Sequence, residues 1–192
     1  MSILMWILVG ILFVGIVIYA IVSVNIGEKK GQNSDAKNEI CELVKDAMGQ
    51  SESIGLYGYF KEQHSEHGFS YSSTSVHMEY YIVGFQPGSM SLFLSSIDFS
   101  EGHVIASNFV EYTKENLGRV TKFGTYFCLY DKSDEKIFEV YVDPLNTKMG
   151  IECPVNVTQR EECAQFKEFL KEFANDINDA NDVPLKLRKW GK

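Results

Sequence analysis

The residues best suited to metal binding or proton transfer form the segment His64-Ser65-Glu66-His67. On a helix, two imidazoles three residues apart would share one face and could supply two zinc ligands, with a third needed from His77 or His103. Gly68 follows at once, and strand-like sequence flanks the segment on both sides. We therefore predict that His64 and His67 lie in an exposed polar loop, and we predict no metal site and no cofactor.

Motifs for other chemistries are missing from the sequence: it contains no P-loop, no dinucleotide-binding G-x-G-x-x-G, no G-x-S-x-G and no H-E-x-x-H. The cysteines form no C-x-x-C pair; Cys41 and Cys163 fall on apolar faces of predicted helices, and Cys128 falls in a predicted strand. Buried free thiols in a reducing compartment explain this pattern, and two disulfides remain an alternative outside the cell. We predict that the protein is not an enzyme.

The charge is unevenly distributed along the chain. The formal net charge is −8, and the last ten residues contain four basic residues and no acid, so the residues before them carry −12. Because phosphate contacts need lysine and arginine, this acidity argues against nucleic acid as a main partner. In the tail, Lys186, Arg188, Lys189 and Trp190 could contact an anionic membrane surface, and the alternative is a frayed, solvated terminus.

Residues 3–24 form an uncharged apolar stretch of 22 residues. As a helix this stretch would span about 33 Å, slightly more than the hydrocarbon core of a bilayer. Trp6 and Tyr19 lie toward its ends, as interfacial aromatic residues do. A cleaved signal peptide is disfavoured, because the sequence has no basic n-region, an overlong apolar run and no A-x-A site. We predict a single-pass signal-anchor at residues 1–24.

The flanking charges predict the orientation of this anchor. No lysine or arginine precedes it, whereas Lys29 and Lys30 follow it, which by the positive-inside rule places the domain in the cytoplasm of the cell. The sequon Asn156-Val157-Thr158 points the other way. We predict a cell-membrane protein with a cytoplasmic domain.

Composition and periodicity divide the rest of the chain. Residues 25–33 read as a flexible linker with two glycines, residues 34–180 as one α+β domain, and residues 181–192 as a basic tail. The domain begins with a helix that Ser34 or Asn33 caps and that ends near Gly49. Between Gly55 and Cys153 the alternation predicts six or seven mostly antiparallel strands, including hairpins over residues 80–94 and 125–142 and a strand over residues 103–110.

The clearest helix lies near the end of the domain. Thr158-Gln159-Arg160-Glu161 has the pattern of a capping box, in which Thr158 would be the N-cap. An apolar stripe follows, and we expect it to pack on a curved sheet or partial barrel. The stripe consists of Cys163, Phe166, Phe169, Leu170, Phe173 and Ile177.

The two hairpins and the helix beginning at Thr158 resemble the pleckstrin-homology-like (PH-like) barrel over residues 76–180. The whole chain is similar in layout to small membrane-anchored bacterial proteins that carry such a domain. The predicted helix before the strands is not part of a minimal PH-like barrel. The resemblance implies a scaffold that binds lipids, peptides or neighbouring membrane proteins, and it transfers no ligand residues.

Our leading hypothesis is a membrane-tethered, non-enzymatic binding domain whose partner is a membrane-associated protein or a lipid headgroup. Tethering would raise its effective concentration near such partners. The alternative is a structural subunit of an extracytoplasmic envelope or secretion assembly, with oxidised cysteines.

Overall fold

The first helix, α1 (Ile3–Gln32), is 30 residues long in the computed structural model, which describes residues 3–32, 34–67, 72–100, 103–146 and 154–188. Many of its described apolar side chains are exposed, and Trp6 is 63% exposed. Across the described part of the chain, no helix is both long enough and apolar enough to cross a membrane. Several side chains of α1 lie outside the described set.

The predicted linker over residues 25–33 is wrong, because α1 continues through most of it to Gln32. The last turn of α1 packs closely on the body of the protein at Gly31, which is buried. A Cβ added to Gly31 would lie 2.6 Å from Thr158 Oγ1 and 2.8 Å from Thr158 N. A tight tertiary contact, rather than flexibility, therefore explains this glycine.

The second helix, α2 (Asp35–Met48), has Ser34 as its N-cap and ends at Gly49, as predicted. The Ser34 hydroxyl accepts the Lys37 backbone N–H at 3.2 Å, and the Asp35 carboxylate lies in the positive first turn. Gly49 ends the helix in the left-handed conformation, with φ of 64°, and donates its N–H to Lys45 O at 2.8 Å.

A five-stranded antiparallel sheet follows, in which β1, β2 and β3 are neighbours and both β4 and β5 pair with β3. Its strands are β1 (Ile54–His67), β2 (Ser72–Phe85), β3 (Leu92–Ser100), β4 (His103–Ala106) and β5 (Val110–Tyr112). The hairpin predicted over residues 80–94 is confirmed, with Phe85 paired to Leu92 and Gly88 at φ of 81°. The strand predicted over residues 103–110 is broken at residues 107–109.

A three-stranded antiparallel sheet contains β6 (Arg119–Phe123), β7 (Tyr126–Tyr130) and β8 (Lys136–Val140). The predicted β7–β8 hairpin is confirmed, and Asp131 Oδ1 accepts the backbone N–H groups of Ser133 and Glu135 in its turn. The short strands β9 (Leu145–Asn146) and β10 (Val157–Thr158) pair with each other. The described residues thus hold ten strands, more than the six or seven predicted.

The third helix, α3 (Arg160–Ala180), confirms the predicted stripe and overturns the predicted capping box. All six stripe residues are buried. The N-cap is Gln159, which makes no side-chain capping bond, whereas Thr158 belongs to β10 and pairs with Leu145. The backbone of Thr158 therefore pairs with a strand residue 13 positions away in sequence, and Thr158 is not the N-cap of the helix that follows it.

Two apolar clusters lie on opposite faces of the five-stranded sheet. On one face, α2 packs through Ile40 and Val44 over Tyr57 and Ile82. The larger cluster lies on the other face, where α3 and the three-stranded sheet meet the first sheet. Phe85 contacts both Phe166 and Phe169 of α3, with ring centroids 5.3 Å and 4.9 Å apart.

Two buried carboxamides tie the ends of α3 to strand edges. At its start, Gln159 Oε1 accepts the Tyr57 N–H at 2.9 Å, and Nε2 donates to Tyr57 O at 2.8 Å and to Asp143 O at 2.7 Å. Near its end, Asn178 Oδ1 accepts the Val120 N–H at 3.0 Å, and Nδ2 donates to Val120 O at 2.8 Å. Each amide therefore pairs with one residue of an edge strand much as a neighbouring strand would.

The predicted α+β class is confirmed: three α-helices accompany antiparallel sheets. A single turn of 3₁₀-helix (Leu185–Leu187) follows α3. The strands that the structure describes do not close into a barrel.

Candidate functional site

A cleft opens where the two larger sheets meet. β1 is one edge strand of the five-stranded sheet, and β8 is one edge strand of the three-stranded sheet. Among the described residues, one isolated bridge joins Tyr59 of β1 to Tyr141, the residue that follows β8. Tyr59 N–H donates to Tyr141 O at 2.9 Å, and Tyr141 N–H donates to Tyr59 O at 2.7 Å. Beside the bridge lies a cleft of about 280 Å³, lined by Phe60 and Glu62 of β1, Glu79 and Tyr81 of β2, and residues 136–139 of β8.

The inner end of the cleft is held in place by packed aromatic rings. The rings of Tyr81 and Phe138 meet edge to face with centroids 5.5 Å apart, and Tyr112 meets Phe138 in the same way at 5.7 Å. Tyr59 stacks on Tyr141 at the bridge, at 5.7 Å. These contacts fix the two sheets relative to each other while leaving the mouth of the cleft open.

The mouth of the cleft carries more carboxylates than cations. The Tyr81 hydroxyl donates to Glu79, which also contacts His77 Nε2 at 3.2 Å. Opposite them on β8, Lys136 pairs with Glu139, which in turn accepts the Tyr126 hydroxyl at 2.5 Å. With Glu62 included, three carboxylates and one ammonium group line the cleft.

A second depression of about 360 Å³ adjoins the cleft through Glu79 and adds another carboxylate, that of Asp98. The excess of negative charge and the aromatic floor together suit a ligand that carries both cationic and apolar groups.

The shifted pKa values in the cleft lie further from neutral pH than the ordinary values of the same groups. The hydrogen bond from Tyr81 lowers the pKa of Glu79, and the bond to Glu139 raises the pKa of Lys136. Burial, reinforced by the Glu79 carboxylate, raises the pKa of Tyr81 far above its ordinary value. Groups that keep one charge state at neutral pH are suited to binding, whereas proton transfer needs a pKa near the working pH.

The predicted residues His64 and His67 lie elsewhere in the fold. Both belong to the part of β1 that pairs with residues 72–78 of β2, so the predicted loop is wrong and the helix that a zinc pair needs is not formed. No group of three or more metal-binding side chains is found among the described residues. The side chains of His64 and His67 lie outside that set.

The membrane contact predicted for the tail stays a prediction, and the structure describes two of its four residues, Lys186 and Arg188. The Arg188 guanidinium pairs with Asp179 at 2.5 Å and donates to the carbonyl of Asn178, in the last turn of α3, and to that of Val183, just after the helix. Arg188 therefore stabilises the end of a helix, where a cation is favourable. Lys186 is exposed, whereas Lys189 and Trp190 fall outside the described residues.

The described cysteines are free thiols, and two of the three are buried: Cys128 and Cys163 are buried, and Cys41 is half-buried. Burial raises the pKa of all three thiols, and it raises that of Cys163 to about 12. A high pKa lowers the thiolate fraction, so none of the three is an activated nucleophile. Cys153 lies outside the described residues.

We expect iodoacetamide at neutral pH to leave Cys128 and Cys163 unmodified in the folded protein, because neither thiol is accessible or ionised. Cys41 should react slowly and serves as the internal control. All three should react fully in denaturant, and peptide mass spectrometry gives the extent at each position. Alkylation of Cys163 as fast as Cys41 in the folded protein would contradict the burial described above.

No pattern in the sequence singles out the cleft, because its residues come from three separate segments that only the tertiary structure brings together. The available local signal is the alternation of Phe138 and Val140 with Glu139, which predicts one buried and one wetter face but no cleft. Comparison with known protein families, with curated proteins and with solved structures finds no match to this chain.

Proposed function

We propose that the chain is a membrane-tethered, non-enzymatic binding domain. α1 is its anchor, and the cleft between β1 and β8 takes an extended, basic segment of a membrane-associated partner protein. The observation that carries the proposal is the cleft itself, which lies between two edge strands joined by one bridge among the described residues.

The uncharged stretch of α1 supports the tether. Residues 3–24 contain no charged residue, and the helix they begin is 30 residues long, or about 45 Å. Large apolar side chains such as Leu12, Phe13 and Tyr19 are more than 60% exposed along it. Apolar surface of this extent needs a cover, and a bilayer supplies one.

The order of elements supports a PH-like interpretation of the body. One antiparallel sheet is followed by a second antiparallel sheet and then by an amphipathic helix that packs over both. α2 is an addition to that plan. A binding scaffold of this kind needs no catalytic group, in keeping with the motifs missing from the sequence.

The cleft can bind an extended segment by strand addition. The main chain of a partner can hydrogen-bond to a strand edge, while its side chains point alternately into the cleft and away from it. The aromatic floor at Phe60, Tyr81 and Phe138 can take apolar side chains. Lysine or arginine side chains of the same segment would reach the carboxylates of Glu62 and Glu79.

This function can be tested with the full chain in discs of neutral phosphatidylcholine. The probe is a fluorescent peptide of alternating valine and lysine, and the matched control peptide alternates valine and glutamate. We expect saturable binding of the lysine peptide alone, read by anisotropy, and weaker binding to a Glu79→Gln variant. The variant keeps the acceptor for Tyr81 but loses a charge at the cleft.

The matched control variant is Glu172→Gln, which removes the same charge from an exposed position on α3. It should bind the lysine peptide like the unaltered chain. Equal weakening by both variants would mean that net charge, not the cleft, attracts the peptide. Equal binding of the two peptides would contradict the proposed partner class.

A further inference from the structure

The turn between β6 and β7 presents an apolar side chain to solvent. Phe123 and Tyr126 are the last paired residues, and Gly124 adopts a φ of 63° between them. Phe123 is 75% exposed, so most of its ring contacts no other part of the described protein. A phenylalanine at the tip of a tight turn is well placed to insert into a membrane or to pack on another protein.

Three lysines lie near this turn, one on β6 and two on α3. Lys122 precedes Phe123, and α3 packs against β6 so that Lys167 and Lys171 act electrostatically on Lys122. Glu168 is the one acidic group that acts on Lys122 from α3. We call Phe123, Lys122, Lys167 and Lys171 the turn patch; it is a basic region in a chain of net charge −8.

The turn patch lies at the end of the fold that receives α1. The Thr125 hydroxyl donates to Val142 O at 2.7 Å, which fixes the turn beside the start of residues 142–146. The last residues of that short stretch form β9, which contacts α1. Three residues of chain span at most about 10 Å, so the turn lies on the same side of the fold as the end of α1.

We propose that the turn patch is a second membrane contact, with Phe123 in the interfacial region and Lys122, Lys167 and Lys171 on the phosphates of an anionic leaflet. This inference rests on the proposed tether, because α1 brings the patch to the bilayer. The occupant follows from location and charge: the acidic body is repelled by an anionic surface, and the turn patch near α1 is attracted to it. The contact would orient the body and leave the cleft facing a partner.

The test uses the full chain with Trp6→Phe, Trp190→Phe and Phe123→Trp, so that the single indole is at position 123. It is placed in discs of brominated phosphatidylcholine, with and without phosphatidylserine. We expect blue-shifted emission and quenching by bromine, both stronger with phosphatidylserine. Adding Lys122→Gln, Lys167→Gln and Lys171→Gln should remove the dependence on phosphatidylserine. Emission that stays as in water, or equal quenching in both discs, would overturn the proposal.

Two controls separate this inference from the tether. With the indole moved to Ile105, an exposed position of β4 in the other sheet, emission should stay as in water. With Trp6 as the only tryptophan, quenching reports insertion of α1. A quenched Trp6 with an unquenched indole at position 123 overturns the second contact alone, whereas an unquenched Trp6 overturns the tether.

Discussion

Replacing Gln159 with alanine should lower the free energy of unfolding by about 3 kcal/mol, because two buried backbone groups, the N–H and C=O of Tyr57, lose this partner at once. The half-buried Asp143 carbonyl also loses the Gln159 donor and keeps that of Asn146. Gln159 is only 1% exposed, so water cannot readily replace the carboxamide. Urea unfolding of the full chain in detergent would measure the loss, provided that the slope against urea stays constant.

The same variant should have a local signature. Tyr57 lies two residues from the bridge at Tyr59, so the loss of Gln159 loosens the closed end of the cleft. Hydrogen exchange at the Tyr57 amide should therefore accelerate more than exchange in α2. Gln165→Ala, at an exposed position on α3, is the control and should change stability by less than about 0.5 kcal/mol. A Tyr57 amide that stays protected in Gln159→Ala would refute the pairing.

Local sequence signals predict those elements whose ends are set by residues within one turn of them. Ser34 and Gly49 limit α2 because a cap and a left-handed glycine act within one helical turn. Pro87-Gly88 predicts its hairpin for the same reason. The stripe of α3 predicts a buried face without showing what covers it, because periodicity carries no information on partners.

Long-range contacts explain the errors. Thr158 has the right spacing to Glu161 for a capping box, but its backbone pairs with Leu145, and no local pattern reports that competition. Gly31 resembles a linker residue, although it is a close-contact position against Thr158. The cleft depends on the meeting of β1 and β8, whose bridge joins residues 82 positions apart. Its acidic residues are indistinguishable in sequence from an ordinary solvated surface.

Replacing Asn178 with aspartate should be the other large effect, on the order of 3 kcal/mol at neutral pH. Asn178 is 2% exposed, and its Nδ2 donates to Val120 O. A carboxylate cannot make that donation, and it would place a negative charge against a carbonyl oxygen. The guanidinium of Arg188 offers limited compensation because it already pairs with Asp179 at 2.5 Å.

The destabilisation caused by Asn178→Asp should depend on pH in a definite direction. Burial raises the pKa of the new carboxyl group in the folded state above its unfolded value of about 3.9, so the folded state binds more protons. The stability of the variant relative to the unaltered chain should therefore fall as pH rises from the unfolded pKa toward the raised folded pKa of the new carboxyl group. It should recover below about pH 4. A protonated carboxyl can again donate to Val120 O.

The matched control for this pH dependence is Asn175→Asp, which introduces the same carboxyl group at an exposed position three residues earlier on α3. Its effect should be small and nearly independent of pH. Comparison of urea unfolding for both variants between pH 4 and pH 7 isolates the buried site, because all other carboxylates cancel in the difference. If both variants responded alike, the bond between Asn178 and Val120 would not hold α3 to the edge of β6. Of the two buried carboxamides, Gln159 alone would then tie α3 to a strand edge.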